Sequence, residues 1–144
     1  MKRGETVCYQ FKIIWHAISR IYNEEGAKHG LTATIGYVLL NINEKEGTPA
    51  TKIGPLLGME PTSMSRMLNS MEKEKLITRE KDLIDKRSVK IKLTEKGKEK
   101  RQIARKVVKK FNNVIINEIE EEKLKAFFEV ASEINSIIER KNIF

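Results

Sequence analysis

The sequence predicts a mainly α fold that carries one small β-hairpin. Three observations point to it. Apolar residues recur at steps of three and four through most of the chain, the spacing of a helix face. One stretch, Val89-Lys90-Ile91-Lys92-Leu93, alternates with period two instead, the mark of a half-buried strand. Ahead of it, Pro49 and Pro61 stand at helix-start positions and mark two short helices in close succession.

Val7, Phe11, Ile14, Ile18 and Ile21 form the first stripe, which predicts a helix from near Glu5 to Glu25, ended by Gly26 or Gly30. A second helix starts at 32–34, carries Ile35, Val38, Leu39 and Ile42, and stops before Glu46-Gly47. Thr48-Pro49 then reads as a helix start, with Thr48 the N-cap and Pro49 the first helical residue. Ile53, Leu56 and Leu57 are its apolar residues and Gly58 closes it; Pro55, which lacks an amide hydrogen, is expected to kink or tighten it. Glu60-Pro61 opens the next helix, whose buried face is Met64, Met67, Leu68 and Met71, and Leu76 ends that segment. Ile77-Thr78-Arg79-Glu80-Lys81 pairs with the alternating stretch across 82–87 as an antiparallel hairpin. Thr94 caps a long connecting helix over 94–117 that buries Ile103, Val107, Phe111 and Val114 or Ile115. A final helix uses Leu124, Phe127, Phe128, Ala131, Ile134 and Ile138.

At 144 residues the chain is one domain's worth of protein with enough length for a real core. No run approaches the 18 or so apolar residues of a membrane span, and Lys2 and Arg3 are followed by Gly4, Glu5 and Thr6 rather than by the apolar stretch of a signal peptide. Cys8 is the single cysteine, so no internal disulfide forms. A soluble, cytoplasmic protein without membrane contact is expected. Its net charge of +8 is unevenly spread: residues 73–110 hold sixteen basic and six acidic side chains, a local +10, whereas 111–144 carry a net −3. Positive charge concentrated in one quarter of the chain attracts a polyanion through counterion release. A solvated helix face is the plainer account of such a run.

Helix, short turn, helix and ribbon in succession make a winged helix-turn-helix over 31–95. Its second helix opens Pro61-Thr62-Ser63-Met64-Ser65-Arg66. Thr62, Ser63, Ser65 and Arg66 are candidates for the major groove of double-stranded DNA and its phosphates: small hydroxyls allow close approach, and an arginine grips guanine or backbone. The wing adds Lys81, Lys86, Arg87 and Lys90. Arg87 is the candidate for a flanking minor groove, where narrow A·T-rich stretches deepen the negative potential. Lys86 and Lys90 are candidate phosphate contacts. A salt bridge of Arg87 to Asp85 alone is the competing account of that arginine. For Lys98, Lys100, Arg101, Arg105, Lys106, Lys109 and Lys110 a solvated face is expected.

Asp85-Lys86-Arg87-Ser88-Val89-Lys90-Ile91-Lys92-Leu93-Thr94 resembles the wing signature of MarR-type regulators, Asp-x-Arg followed by Leu-Thr, and Glu95-Lys96-Gly97 continues the likeness. Leu68-Asn69-Ser70-Met71-Glu72-Lys73-Glu74-Lys75-Leu76-Ile77-Thr78-Arg79 is also similar, except that the family usually has glycine at the Lys75 position. A lysine there must accept whatever φ glycine supplies. The resemblance covers nearly the whole chain. It implies a homodimer whose terminal helices (1–30 and 111–144) interlock, with two winged domains reading successive half-sites of an inverted repeat. It also implies that Asp85 orients Arg87 rather than touching DNA. Phe127, Phe128, Ile134, Ile137, Ile138, Ile143 and Phe144 support the dimer independently, because a monomer would leave them as an exposed apolar patch.

The family resemblance implies a repressor released by a small-molecule effector, for which Trp15, Tyr22 and Tyr37 are candidate pocket residues; plain aromatic packing is the alternative. Cys8, near the start of the first helix, resembles the reactive cysteine of the organic-hydroperoxide-sensing branch. That branch has a tyrosine pair early in the second helix where this chain has Ala33 and Gly36, with Tyr37 one position off. A packed free thiol is the plainer account. A thiol-based peroxide-sensing repressor and an architectural protein binding DNA by charge alone are the alternative functions. No constellation for catalysis is present; Gly54-Pro55-Leu56-Leu57-Gly58 is turn material, not a phosphate cradle. His16, His29 and Cys8 lack the ordered spacing of a metal site, so neither metal nor cofactor is expected.

Overall fold

A 3₁₀ turn, Arg3–Glu5, leads into helix α1, Val7–Ala27, in the structure, a computed structural model that describes residues 1–140 and 143. Then follow α2 (Ala33–Asn41), β1 (Thr48–Pro49), α3 (Ala50–Leu57), α4 (Pro61–Lys73), β2 (Ile77–Lys81), β3 (Val89–Leu93), α5 (Glu95–Glu118) and α6 (Glu121–Glu139). The chain divides into two compact units, Met1–Val108 and Lys109–Phe144. Among the described residues no helix is long and apolar enough to cross a membrane.

Local chemistry explains most boundaries. Thr32 caps α2, its hydroxyl accepting from the Ile35 amide at 3.2 Å. Pro61 occupies the first position of α4, where its missing donor costs nothing. Gly58 ends α3 in the left-handed conformation at φ +62°, which needs no Cβ, and this makes the tight turn into α4. Pro55 lies inside α3 without ending it; the donor it lacks would have reached only the Thr51 carbonyl in the first turn.

Thr48-Pro49 is a correction. The pair forms an edge strand rather than a helix start, Thr48 lying opposite Ile91 and Pro49 opposite Lys90. Pro49 itself is the N-cap of α3, and the Thr48 hydroxyl instead accepts from the Asn43 amide at 2.8 Å, bracing the preceding turn. A proline is tolerated at a sheet edge because no ladder donor is needed there. The expected two-stranded ribbon is therefore a three-stranded antiparallel sheet in the order β1-β3-β2. Its hairpin register sets Ile77 against Leu93 and Lys81 against Val89.

The core of the first unit gathers Val38, Leu39, Ile42, Ile53, Met71, Leu76, Ile77 and Ile91, all essentially inaccessible. Each such side chain contributes about 1.5–3 kcal/mol on burial, so this cluster sets the orientation of every element that feeds it. Gly97 matters to its closure: a Cβ there would run into the Leu76 carbonyl. The second unit differs. Among its described residues none is buried, and Val114, Ile116, Phe127, Phe128, Val130, Ile137, Ile138 and Ile143 are exposed. Phe144, expected in the same patch, lies outside the described residues.

Candidate nucleic-acid interface

Helix α4 buries Met64, Leu68 and Met71 at spacings of four and three, which fixes its rotation. Thr62, Ser63, Ser65 and Arg66 are consequently exposed, with Thr62 and Arg66 nearly opposite the buried stripe and the two serines on its flanks. Asn69 shares this outward face and was not singled out from the sequence, although its spacing of four from Ser65 and three from Arg66 was available to find it. A groove lined by Pro61, Ser65, Arg79 and Val89, among others, separates α4 from the ribbon.

The turn between β2 and β3 is held by its own acidic side chains. Asp82 Oδ1 accepts from the Ile84 amide at 2.9 Å and, more loosely, from the Asp85 amide at 3.4 Å. Chiefly the Ile84 amide, with the Asp85 amide and Lys90 adding to it, holds the Asp82 carboxyl below the usual carboxylate range. Asp85 Oδ1 accepts from the Arg87 amide at 3.1 Å, and its carbonyl accepts from Ser88 N at 2.9 Å. Asp85 thus meets Arg87 through the backbone, and no ion pair joins their side chains among the described residues. Lys86 and Arg87 are exposed and enter no ion pair among the described residues. Lys90 differs, its Nζ lying 3.7 Å from Asp82 Oδ2, so the carboxylate already shares the charge proposed for phosphate. Asp82 is the organising residue that sequence reading missed; an Asp opening a polar turn is the signal for it.

The basic run on α5 is less solvated than expected. Lys100 donates to the His29 carbonyl, and Arg101, whose side chain is 17% exposed, pairs with Glu44 at 3.1 Å. These two cations tie α5 to the loops beside α2.

Tyr22 and Tyr37 do come together, ring centroids 6.1 Å apart, and Trp15 lies 5.5 Å from Tyr37. Tyr22 and Tyr37 line a cavity of about 30 Å³ closed by Gly26, Leu31, Ile103 and Val107; Trp15 is not among its lining residues. Burial first, and the neighbouring Tyr37 second, push the Tyr22 phenol up to about 12. Cys8 is exposed in the first turn of α1 and donates to Thr6 Oγ1 at 3.7 Å. No cluster of three metal-ligating side chains exists among the described residues.

Known proteins are similar to this chain in sequence and in fold. SarZ of Staphylococcus aureus, an HTH-type transcriptional regulator, is 30% identical over 118 residues, 81% of this chain and 80% of that protein. The model of the MarR family matches residues 31–89, from just before α2 to the first residue of β3. The chain belongs to the MarR family. SarZ of Staphylococcus epidermidis is 27% identical over 96 residues, 67% of this chain, and the match spans 65% of that relative's length. The structure of S. aureus MepR bound to DNA superposes with a TM-score of 0.83 at 21% identity, covering 91% of this chain and 97% of that one, a likeness of fold. MarR-family proteins are transcriptional regulators of winged-helix type, not enzymes.

Proposed function

We propose that this chain is a sequence-specific DNA-binding transcriptional regulator acting as a homodimer on an inverted-repeat operator, a repressor released by a small-molecule effector. One observation carries the reading: α4 offers an outward face of hydroxyls, Arg66 and Asn69, and the same rigid core holds a wing bearing the exposed Lys86 and Arg87. Helix in the major groove and ribbon in the adjacent minor groove is what such a pair of surfaces fits. The relatives named above are regulators, and MepR was solved on DNA, which supports the same assignment. The exposed apolar side chains Val114, Ile116, Phe128, Val130, Ile137 and Ile138 support the homodimer, since a second copy can cover them. For the effector, the cavity at Tyr22 and Tyr37 is the site; it has to open, because small-molecule pockets run to about 300 Å³ or more.

Footprinting on duplexes enriched by the protein from a random pool tests this. A short protected inverted repeat is the expected result, and protection without sequence preference overturns it in favour of an architectural binder. Arg87→Ala should weaken binding and lower the slope of log K against log salt by about one. An unchanged affinity and slope would remove the wing from the interface.

The exposure of Cys8 favours one second reading, a peroxide-sensing repressor. Against it, Tyr37 packs on Trp15 and Tyr22, and Cys8 Sγ donates to the Thr6 hydroxyl, which is neither a phenol nor a base. Equal release of DNA by peroxide from the wild type and Cys8→Ser disposes of the thiol switch.

A further inference from the structure

Two branched apolar side chains stand at the tip of the wing. Leu83 is 97% exposed and Ile84 is 96% exposed; apart from Met1, the next most exposed large apolar residue described is Phe128, at 64%. Isolated apolar residues on a surface are ordinary, but two adjacent ones lifted fully clear of the fold are not. They contribute nothing to the core, and the turn that presents them is rigidly built. Asp82 N donates to the Ser88 carbonyl at 3.0 Å, the Asp82 carboxylate receives the Ile84 amide, and the Asp85 carboxylate receives the Arg87 amide. Ordering this loop on a partner therefore costs little.

The chemistry beside the pair narrows the partner. Lys81, Lys86 and Arg87 lie within four residues of it, exposed and outside any ion pair among the described residues. A matching surface has to combine apolar area with dense negative charge. The minor groove of DNA does so, with sugar walls and base edges between two rows of phosphates, and leucine and isoleucine wedges are among those that enter base steps there.

We propose that Leu83 and Ile84 form an apolar wedge that enters the minor groove beside Arg87 and partly unstacks one base step in each half-site. This rests on the DNA-binding reading above and adds to it a contact that distorts the duplex, so that operator choice depends on how easily that step opens.

The test uses the full-length protein and a duplex that it enriches from a random pool, with 2-aminopurine substituted in turn across the bases flanking each protected half-site. Wild-type binding should raise the fluorescence at one position per half-site. Leu83→Ser with Ile84→Ser should abolish that rise and weaken binding by roughly tenfold or more. The salt slope of this variant should stay unchanged, because apolar burial releases no counterions, whereas Arg87→Ala lowers it. The exchange Leu83→Ile with Ile84→Leu should keep both affinity and fluorescence. Wild-type affinity and fluorescence in the double serine variant overturn the wedge. So does binding to phosphatidylglycerol vesicles that depends on the pair while duplex affinity does not. A wild-type chain that binds duplex without the fluorescence rise overturns the wedge alone; one that retains no duplex overturns the DNA-binding reading with it.

Discussion

Lys75 sits at φ +60°, the one non-glycine residue with positive φ among those described, in the turn that hands α4 to β2. A Cβ in this conformation costs about 1–2 kcal/mol, and the surrounding structure holds it there. The Lys75 amide donates to the Glu72 carbonyl at 3.0 Å, and its own carbonyl accepts from the Thr94 hydroxyl at 2.6 Å. Lys75→Gly should therefore stabilise the fold, by about 1 kcal/mol once the added freedom of the unfolded chain is set against it. A melting temperature about 3 °C higher is the expected reading, and an unchanged or lower one refutes the strain. Tyr22 gives a second prediction at this scale. Its phenol titrates near 12 in the fold against an ordinary 10, so between those values the unfolded chain has released a proton that the fold retains. Stability contributed by the neutral phenol is complete below pH 10 and is lost as pH rises towards 12. Denaturant titration across that window should show a shallower fall for Tyr22→Phe than for the wild type, and an equal fall refutes the assignment. Tyr37, also raised by burial, supplies part of the remainder.

At the scale of elements, Thr94 joins the ribbon to α5. Its hydroxyl accepts from the Gly97 amide at 3.0 Å as an N-cap while donating to the Lys75 carbonyl, so one side chain starts a helix and anchors the turn before β2. Thr94→Ala should cost about 1–2 kcal/mol, read as a lower urea midpoint, with Thr94→Ser restoring most of it. Loss below about 0.5 kcal/mol would mean that α5 is held by packing alone. Most elements were legible locally: the spacing of Met64, Leu68 and Met71 gives α4, the alternation of Val89, Ile91 and Leu93 gives β3, and Thr32 and Thr94 announce their helices. Thr48-Pro49 was misread because a Thr-Pro pair is an equally good signal for a helix start and for an extended edge. Pairing with Ile91, 43 residues further on, decided between them, and no local pattern reports such a partner.

Across the whole molecule, buried side chains belong to the unit ending at Val108, and the described residues beyond it bury none. Amphipathic helices hold together by burying an apolar face, and Phe128, Val130, Ile137 and Ile138 of α6 remain exposed within one copy. Sedimentation at micromolar concentration should give twice the 16.6 kDa of one chain, and Phe128→Glu should shift it towards the monomer. A wild-type monomer refutes the homodimer.

The amino-acid sequence by itself determined the helical periodicities, the hairpin, the concentration of positive charge in 73–110 and the wing residues that resemble MarR-type regulators. These are properties of spacing and composition along neighbouring residues. Tertiary structure alone decided which of those charges are free. Lys90 is drawn to Asp82 and Arg101 to Glu44, while Lys86 and Arg87 stay exposed. It also lifted Leu83 and Ile84 clear at the wing tip and set Trp15, Tyr22 and Tyr37 against one another. Contacts between residues far apart in sequence depend on how the core closes, and that closure is a property of all the elements together.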